Sequence, residues 1–467
     1  MNDVEAAVGA LAAGYDHALV ALCELVRIPS ISADPRRAGD VARSADVTAA
    51  LLEASGLERV RESTTGDSPP YVIGEWMHHD EGPTVLLYAH HDVQPPGIVE
   101  NWSADPFEPV ERGGRLYGRG TADDKAGAVA HAEAVRAWIE TAGAPPCNVK
   151  VLVEGEEEIG SPRLHEFLTE HLDELAADVL LLADAGNWSV GTPGITYSLR
   201  GLAAADISLR ALDGPVHSGM AGGGVPDPVM GLARLLTTLV DEHGEPAFDG
   251  AWDGVRPLQP EESERLASLP DQTDGLRRAW GVRPGVALAG PSDRTVFERL
   301  WRRPSITVIG WDSHPIAGSS NQIVAVATAR VSLRLVPDQD PQHVLERLHA
   351  HLEEHVPWGL ELSFEPREAS PAWECQPRGW AFEAAERALR AGFKKPPVYM
   401  GVGGSIPFVG PFAHAFGGIP ALLLGPADPG SRIHGEDESL HLRDWRSLIE
   451  SETRLLAELA AAWPIRS

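Results

Sequence analysis

Short apolar runs recur through the first part of the chain: YVIGEW, TVLLYAHH, VKVLVEGE and DVLLLAD. Each has strand length and is apolar at successive positions, as expected of strands covered on both faces. Between them, AGAVAHAEAVRAWIE spaces its apolar residues at the helical period. This alternation of strand and helix predicts an α/β domain on a mixed, largely parallel sheet. From about residue 200 the pattern changes. AAADISLRAL reads as a strand, DPVMGLARLLTTLV as a helix, SITVIGW and IVAVATARVSLRLV as strands, PQHVLERLHAHLEE as a helix and LELSFEP as a strand, with a polar, proline-containing insertion after the first helix. The order β-α-β-β-α-β is that of a ferredoxin-like α+β domain. Beyond about residue 372 a helix (WAFEAAERALRAGF), a strand (IPALLLGPAD) and a closing helix resume the first pattern. The expected organisation is one domain over 1–199 and 373–467, interrupted by an inserted domain over 200–372.

Composition narrows the function classes. The chain has 467 residues, too many for one ordinary core, and 39 basic against 68 acidic side chains give a formal charge of −29. Such a field disfavours nucleic acid and anionic membranes as partners. Cys23, Cys147 and Cys375 are odd in number and far apart, so they predict buried small apolar residues in a reducing compartment, not a disulfide framework. The opening MNDVEAAVGALAAGYDHALVALCELVRIPS carries acids through its apolar spacing and lacks a basic leader, which predicts an amphipathic helix. No uninterrupted apolar run of about 18 residues occurs, so a cytoplasmic protein without a membrane span is expected.

The chemistry gathers where the apolar strands end. In an open α/β sheet, ligands bind beyond the carboxyl ends of the strands. TVLLYA stops at His90, His91 and Asp92; VKVLVEG at Glu156, Glu157 and Glu158; DVLLLA at Asp184; and IPALLLG is followed by His434. Asp123 and Asp124, in GRGTADDKAG, precede a helix; Asp124 is read as its cap and Asp123 as part of the cluster. Any one of these positions alone has an ordinary reading as a solvated turn or a hydrogen-bonded histidine. Together they place acids side by side, which raises their pKa values unless a cation compensates. Imidazole mixed with carboxylate favours zinc, manganese or cobalt over calcium. Asp123, Asp184 and Glu158, with one hydroxide, balance two divalent ions.

The segments AHHDVQP, LYGRGTADDKAG, EGEEEIGS, LLAD, HSG and GGSIP, with the late His434, resemble in order and spacing the co-catalytic zinc metallopeptidases, which include carnosinase-type dipeptidases, aminoacylase and succinyl-diaminopimelate desuccinylase. The resemblance implies a zinc-peptidase-like catalytic domain and a ferredoxin-like lid and dimerisation domain. It implies that His90 and Asp184 bind one metal, Glu158 and His434 the other, and that Asp123 bridges both. Asp92 would orient His90, while His91 is left without a role. Glu157 matches the general base, because the pattern EGxEExGS puts base and ligand at its fourth and fifth positions; Glu156 adjoins them. His217 would polarise the scissile carbonyl, often from the neighbouring subunit of a homodimer. Gly403, Gly404 and Ser405 are candidates for a carboxylate-binding nest, and Asn321 for a further substrate contact. The chain departs from the pattern at Gly401 and Val402, where carnosinase-type members carry a charged pair, and at Asn321, Gln322, Ile323 and Val324, where many read Asn-x-Ile-Pro.

The activity implied is hydrolysis of the amide bond of a small substrate with a free carboxylate, foremost a dipeptide. The nearest alternative is an N-acyl-amino-acid deacylase or desuccinylase, which shares every catalytic residue. A non-catalytic metal-binding homologue would lack the base or a ligand, and none is missing here. A binuclear phosphoesterase is disfavoured because HSG and GGSIP have no Arg or Lys cluster beside them for phosphate.

Overall fold

The computed structural model describes residues 3–404 and 409–463. Its contacts divide the chain into two compact units: Met1–Tyr197 with Cys375–Met400 and Ile406–Ser467, and Ser198–Glu374 with Gly401–Ser405. In the first unit the main sheet runs in the order Glu58–Ser63, Tyr71–Trp76, Asn148–Glu154, Thr84–His90, Val179–Leu182, Ala421–Leu423 and Gly194–Leu199. The middle four are parallel and the outer pairings antiparallel. Registers here decide where side chains end up. His90 lies opposite Glu154, and Tyr88 opposite Leu182, so the residues that follow each strand emerge along one edge.

Helices pack on the sheet through apolar faces. Val135 and Trp138 of Lys125–Ala142, Ala385 and Leu389 of Trp380–Phe393, and Leu448 and Leu455 of Leu442–Ala462 join Val85, Leu87, Val149 and Val151 in one core. Gly143 ends the helix Lys125–Ala142 in a left-handed conformation (φ 77°), which a residue without a Cβ adopts at least cost. The N-terminal helix Asp3–Val26 is long and apolar enough, by length and composition alone, to cross a membrane. Here its residues Leu22, Leu25 and Val26 are buried with Leu116, Trp445 and Ile449, each such side chain contributing about 1.5–3 kcal/mol of burial.

The second unit has a four-stranded antiparallel sheet in the order Ser305–Asp312, Val326–Leu335, Gly201–Arg210, Glu361–Ser370. Numbered along the chain, these strands lie 2-3-1-4, the ferredoxin-like arrangement. Helices Pro228–Thr237 and Pro341–His355 bury Leu232, Leu235, Leu345 and Leu348 against Ala205, Ile207, Val331 and Leu333. Both helices start on Asp-Pro: Asp227 accepts from the Val229 N–H and Asp340 from the Gln342 N–H, while proline fills the first turn, where a missing N–H costs nothing. The polar insertion after the first of them carries the helices Pro260–Ser268, Thr273–Ala279 and Val296–Trp301. One expectation about the cysteines needs correcting. Only Cys147, facing the core, is buried, whereas Cys23 and Cys375 are half-buried at its margin.

Candidate active site

The structure brings His90, Asp123, Glu158, Asp184 and His434 together at the strand-end edge of the first unit. Asp123 stands between two imidazoles: its Oδ1 is 3.0 Å from His90 Nε2 and its Oδ2 3.0 Å from His434 Nε2. Asp184 Oδ2 lies 3.9 Å from His90 Nε2, and Glu158 Oε2 3.1 Å from His434 Nε2. Asp123, Glu158 and His434 each offer a ligand atom within 4.8 Å of the others, as do His90, Asp124 and Asp184.

Neighbouring groups set the orientation of these side chains. His90 Nδ1 donates to the backbone carbonyl of Asp92 at 3.1 Å, with the Asp92 carboxylate 3.4 Å away, leaving Nε2 turned toward Asp123. Asp92 also receives the Ser32 hydroxyl at 2.6 Å and the N–H groups of Glu157 and Glu158 at 3.3 and 3.1 Å. One buried carboxylate thus fixes both a ring and the turn that carries the acidic run. Glu158 is clamped by Gln94, whose backbone N–H and side-chain amide donate to its two carboxylate oxygens at 3.0 and 2.9 Å. The adjacent acids part company. Glu156 accepts from the Tyr71 hydroxyl at 2.6 Å and from the Arg163 N–H at 2.9 Å, whereas the charges that act on Glu157 are those of His90, Asp184, Glu158 and Asp123.

Two readings change. Asp124 begins the helix Lys125–Ala142, but its side chain makes no capping bond. Instead its carbonyl receives the Gly127 N–H, and its buried carboxyl turns toward the backbone N–H of His90, 3.4 Å away. His91 acquires a structural part: its Nε2 donates to the Pro70 carbonyl at 2.9 Å, and its own carbonyl accepts from the hydroxyls of Ser30 and Ser44. Burial pushes its pKa down to about 4, so it is a neutral pin beneath the site.

Sequence reasoning missed Arg119 and Glu438. Glu438 accepts from Arg119 Nη1 at 2.7 Å and from the N–H groups of Gly120, Ala122 and Asp123 at 3.1, 2.9 and 3.2 Å. Arg119 also donates to the carbonyls of Pro95 and Gly435, each at 3.2 Å. This pair ties three loops of the site, and only the proximity of Glu438 to His434 in the sequence hinted at it.

Electrostatics explain what the cluster needs. Burial, then the neighbouring acids, pushes Glu157, Asp184 and Asp124 well above the usual carboxylate range, and Glu158 upward. Burial opposes charge on His90 and His434 as well. The carboxylates around them prevail, holding His90 well above its ordinary value and pushing His434 up to about 10. Acids outnumber imidazoles in a low-dielectric edge, and the donors are the nitrogen and oxygen types that divalent transition metals take. The residues present therefore fit such ions. His434 also sits at φ 63°, a left-handed conformation that costs a residue with a Cβ of order 1–2 kcal/mol.

The substrate candidates belong to the second unit. His217 is exposed on a two-residue strand paired with Gln322–Ile323, and the Ser218 N–H donates to the Asn321 carbonyl at 2.8 Å, which keeps His217 and Asn321 neighbours. The carbonyl of Gly403 accepts from Arg200 Nε at 3.2 Å and that of Gly404 from the Arg200 N–H at 3.1 Å. Ser405 lies outside the described residues.

A mixed sheet whose strand ends gather acids and histidines, with a ferredoxin-like inserted unit, defines a metal-dependent hydrolase. Residues 86–458 match the peptidase family M20/M25/M40. The chain belongs to that family. It is a metallopeptidase that hydrolyses peptide bonds, on the metallodipeptidase branch. It is 32% identical over 426 residues to the cysteinylglycine-S-conjugate dipeptidase of Corynebacterium striatum, covering 90% of each chain. With the Cys-Gly metallodipeptidase of Schizosaccharomyces pombe it shares 28% over 469 residues, 96% of this chain and 97% of that one. Its fold matches the crystal structure of human carnosine dipeptidase 1 with a TM-score of 0.87 at 26% identity, over 98% and 99% of the two chains.

Proposed function

We propose that the chain is a dipeptidase that works with two divalent ions, foremost zinc, with manganese or cobalt as alternatives. His90 and Asp184 would hold one ion, Glu158 and His434 the other, and Asp123 would serve both. The observation that carries this reading is the placement of the two Asp123 oxygens, each 3.0 Å from a different imidazole nitrogen. When bound, such ions lower the pKa of water and polarise a carbonyl. Glu157 takes the proton from the attacking water and later delivers it to the leaving amine. Asp92 keeps His90 and the Glu157 turn in place. From the resemblance, His217 steadies the developing oxyanion; Gly403, Gly404 and Ser405 receive the substrate carboxylate, and Asn321 makes a further substrate contact. The substrate class, a small dipeptide of the Cys-Gly kind, is supported by the names of the relatives.

The chain is further proposed to work as a cytoplasmic homodimer. Three free thiols support a reducing compartment. The edge strand Ser305–Asp312 exposes Val308, Ile309 and Trp311, an unprotected apolar edge of the kind that a second copy covers.

Paired variants of adjacent glutamates test the mechanism. Glu157→Gln is expected to lower kcat on Cys-Gly by at least about 10²–10⁴-fold with metal content unchanged. Glu156→Gln, beside it but bonded to Tyr71, is expected to keep most turnover. Equal losses, or full activity in Glu157→Gln, contradict the assignment.

A further inference from the structure

The second unit contains a cavity of ≈ 230 Å³ to which the peptidase reading assigns nothing. Its walls include Trp280, Leu288, Val296 and Leu300, and two guanidinium groups, Arg200 and Arg299, reach it. A third, Arg303, is neutralised by a bidentate ion pair with Glu245. Arg200 and Arg299 have no such counter-charge: among the described residues neither forms an ion pair with a carboxylate. Arg200 is only 9% exposed. It donates to the Gly403 carbonyl and to the Ser305 hydroxyl at 3.3 Å, both neutral acceptors. Burial and the nearby Arg334 push its pKa down to about 10, as expected of a cation stripped of water and set near another. Arg299 donates to the Ala289 carbonyl, while its buried Nε has no partner.

A buried guanidinium left without an anion is costly, and a chain of net charge −29 has acids in plenty to pair it with. Arg200, with the half-buried Arg299 beside it on one apolar-walled cavity, forms a local inversion of the molecule's charge. The planar forks of arginine match carboxylate oxygens, and the apolar walls suit a hydrocarbon tail. The cavity is also coupled to its surroundings. The helix Val296–Trp301 that carries Arg299 places Trp301 against Gly401, where a Cβ would lie 2.7 Å from the indole. Arg200 holds the carbonyls of Gly403 and Gly404.

We propose that this cavity is a second ligand site for a small carboxylate with an apolar tail. The carboxylate sits on Arg200 and Arg299, the tail against Trp280, Leu288 and Leu300, and occupancy stiffens the Gly401–Gly404 segment. The binding half of this inference is independent of the peptidase reading; only an effect on turnover rests on it.

The test is calorimetric titration and thermal melting of the full chain with hexanoate, with acetate and inorganic phosphate as parallel probes. Saturable hexanoate binding that raises Tm is expected, with acetate and phosphate each at least about 10-fold weaker. Arg299→Met should weaken hexanoate at least about 10-fold while leaving kcat on a dipeptide unchanged. Trp280→Ala, at a half-exposed position that tolerates truncation, should weaken hexanoate but not acetate, and it carries the test if Arg299→Met melts early without ligand. Three results overturn the proposal: no saturable binding, phosphate binding as tightly as hexanoate, or hexanoate acting only as a competitor of the dipeptide with the same inhibition constant in both variants.

Discussion

Gly155 shows how tightly the acidic run is seated. A Cβ there would lie 2.5 Å from the Pro70 carbonyl and 2.9 Å from His91 Nε2. The glycine that precedes the three glutamates is therefore needed for close approach, and the neutral His91 is what it approaches. Gly155→Ala is expected to destabilise the chain by about 1–3 kcal/mol, the usual effect of forcing a methyl into a packed site, measured by urea unfolding. A variant as stable as the parent would mean that Pro70 and His91 yield easily. The ligand candidates were legible at this level because several apolar strands end on acids or histidines at once, although any one of them alone has an ordinary reading. The parts of Asp124 and His91 were not legible. A carboxylate before a helix reads as a cap until its side chain is seen turned inward, and an imidazole beside a ligand reads the same whether it binds an ion or a carbonyl.

Strand ends converge because strands are parallel and in register, and both properties follow from apolar runs separated by a helix. That part of the architecture, with the order of strands and helices in the ferredoxin-like unit, could be read directly. Ties between distant loops could not. Nothing in GRGTADD announces that Glu438 will accept three of its N–H groups, since backbone donors have no sequence signature. A similar long-range tie joins helices. His131 of Lys125–Ala142 bonds the Glu452 carboxylate on Leu442–Ala462 and the Tyr88 carbonyl on the central strand. Burial disfavours its charge, yet Glu452 outweighs this and raises the His131 pKa. A raised folded-state pKa means stability that is fully present below the unfolded value of about 6.5 and is lost as pH rises through the folded value. Glu452→Gln should therefore cost more stability at pH 6 than at pH 9, by denaturant unfolding at both. A deficit independent of pH would show that the pair is not charged.

Beyond single elements, the account makes claims about assembly and about ions. In the ferredoxin-like unit Ile309 is 60% exposed on the edge strand and Ile316, just beyond it, 94% exposed. Solvation of such a strip is unfavourable at roughly 25 cal/mol per Å². Ile309→Lys is expected to shift the chain from dimer to monomer in light scattering without altering its far-ultraviolet dichroism. A parent that is already monomeric would refute the proposed surface. The central claim concerns Asp123, whose two oxygens each face a different imidazole. It is tested most directly by chelating the protein and titrating zinc back while counting bound ions by elemental analysis, for the parent and for Asp123→Asn. The account predicts two tightly bound ions per chain in the parent and no more than one in the variant, with loss of activity. Two ions held equally tightly by both proteins, or a parent that binds fewer than two, would contradict it.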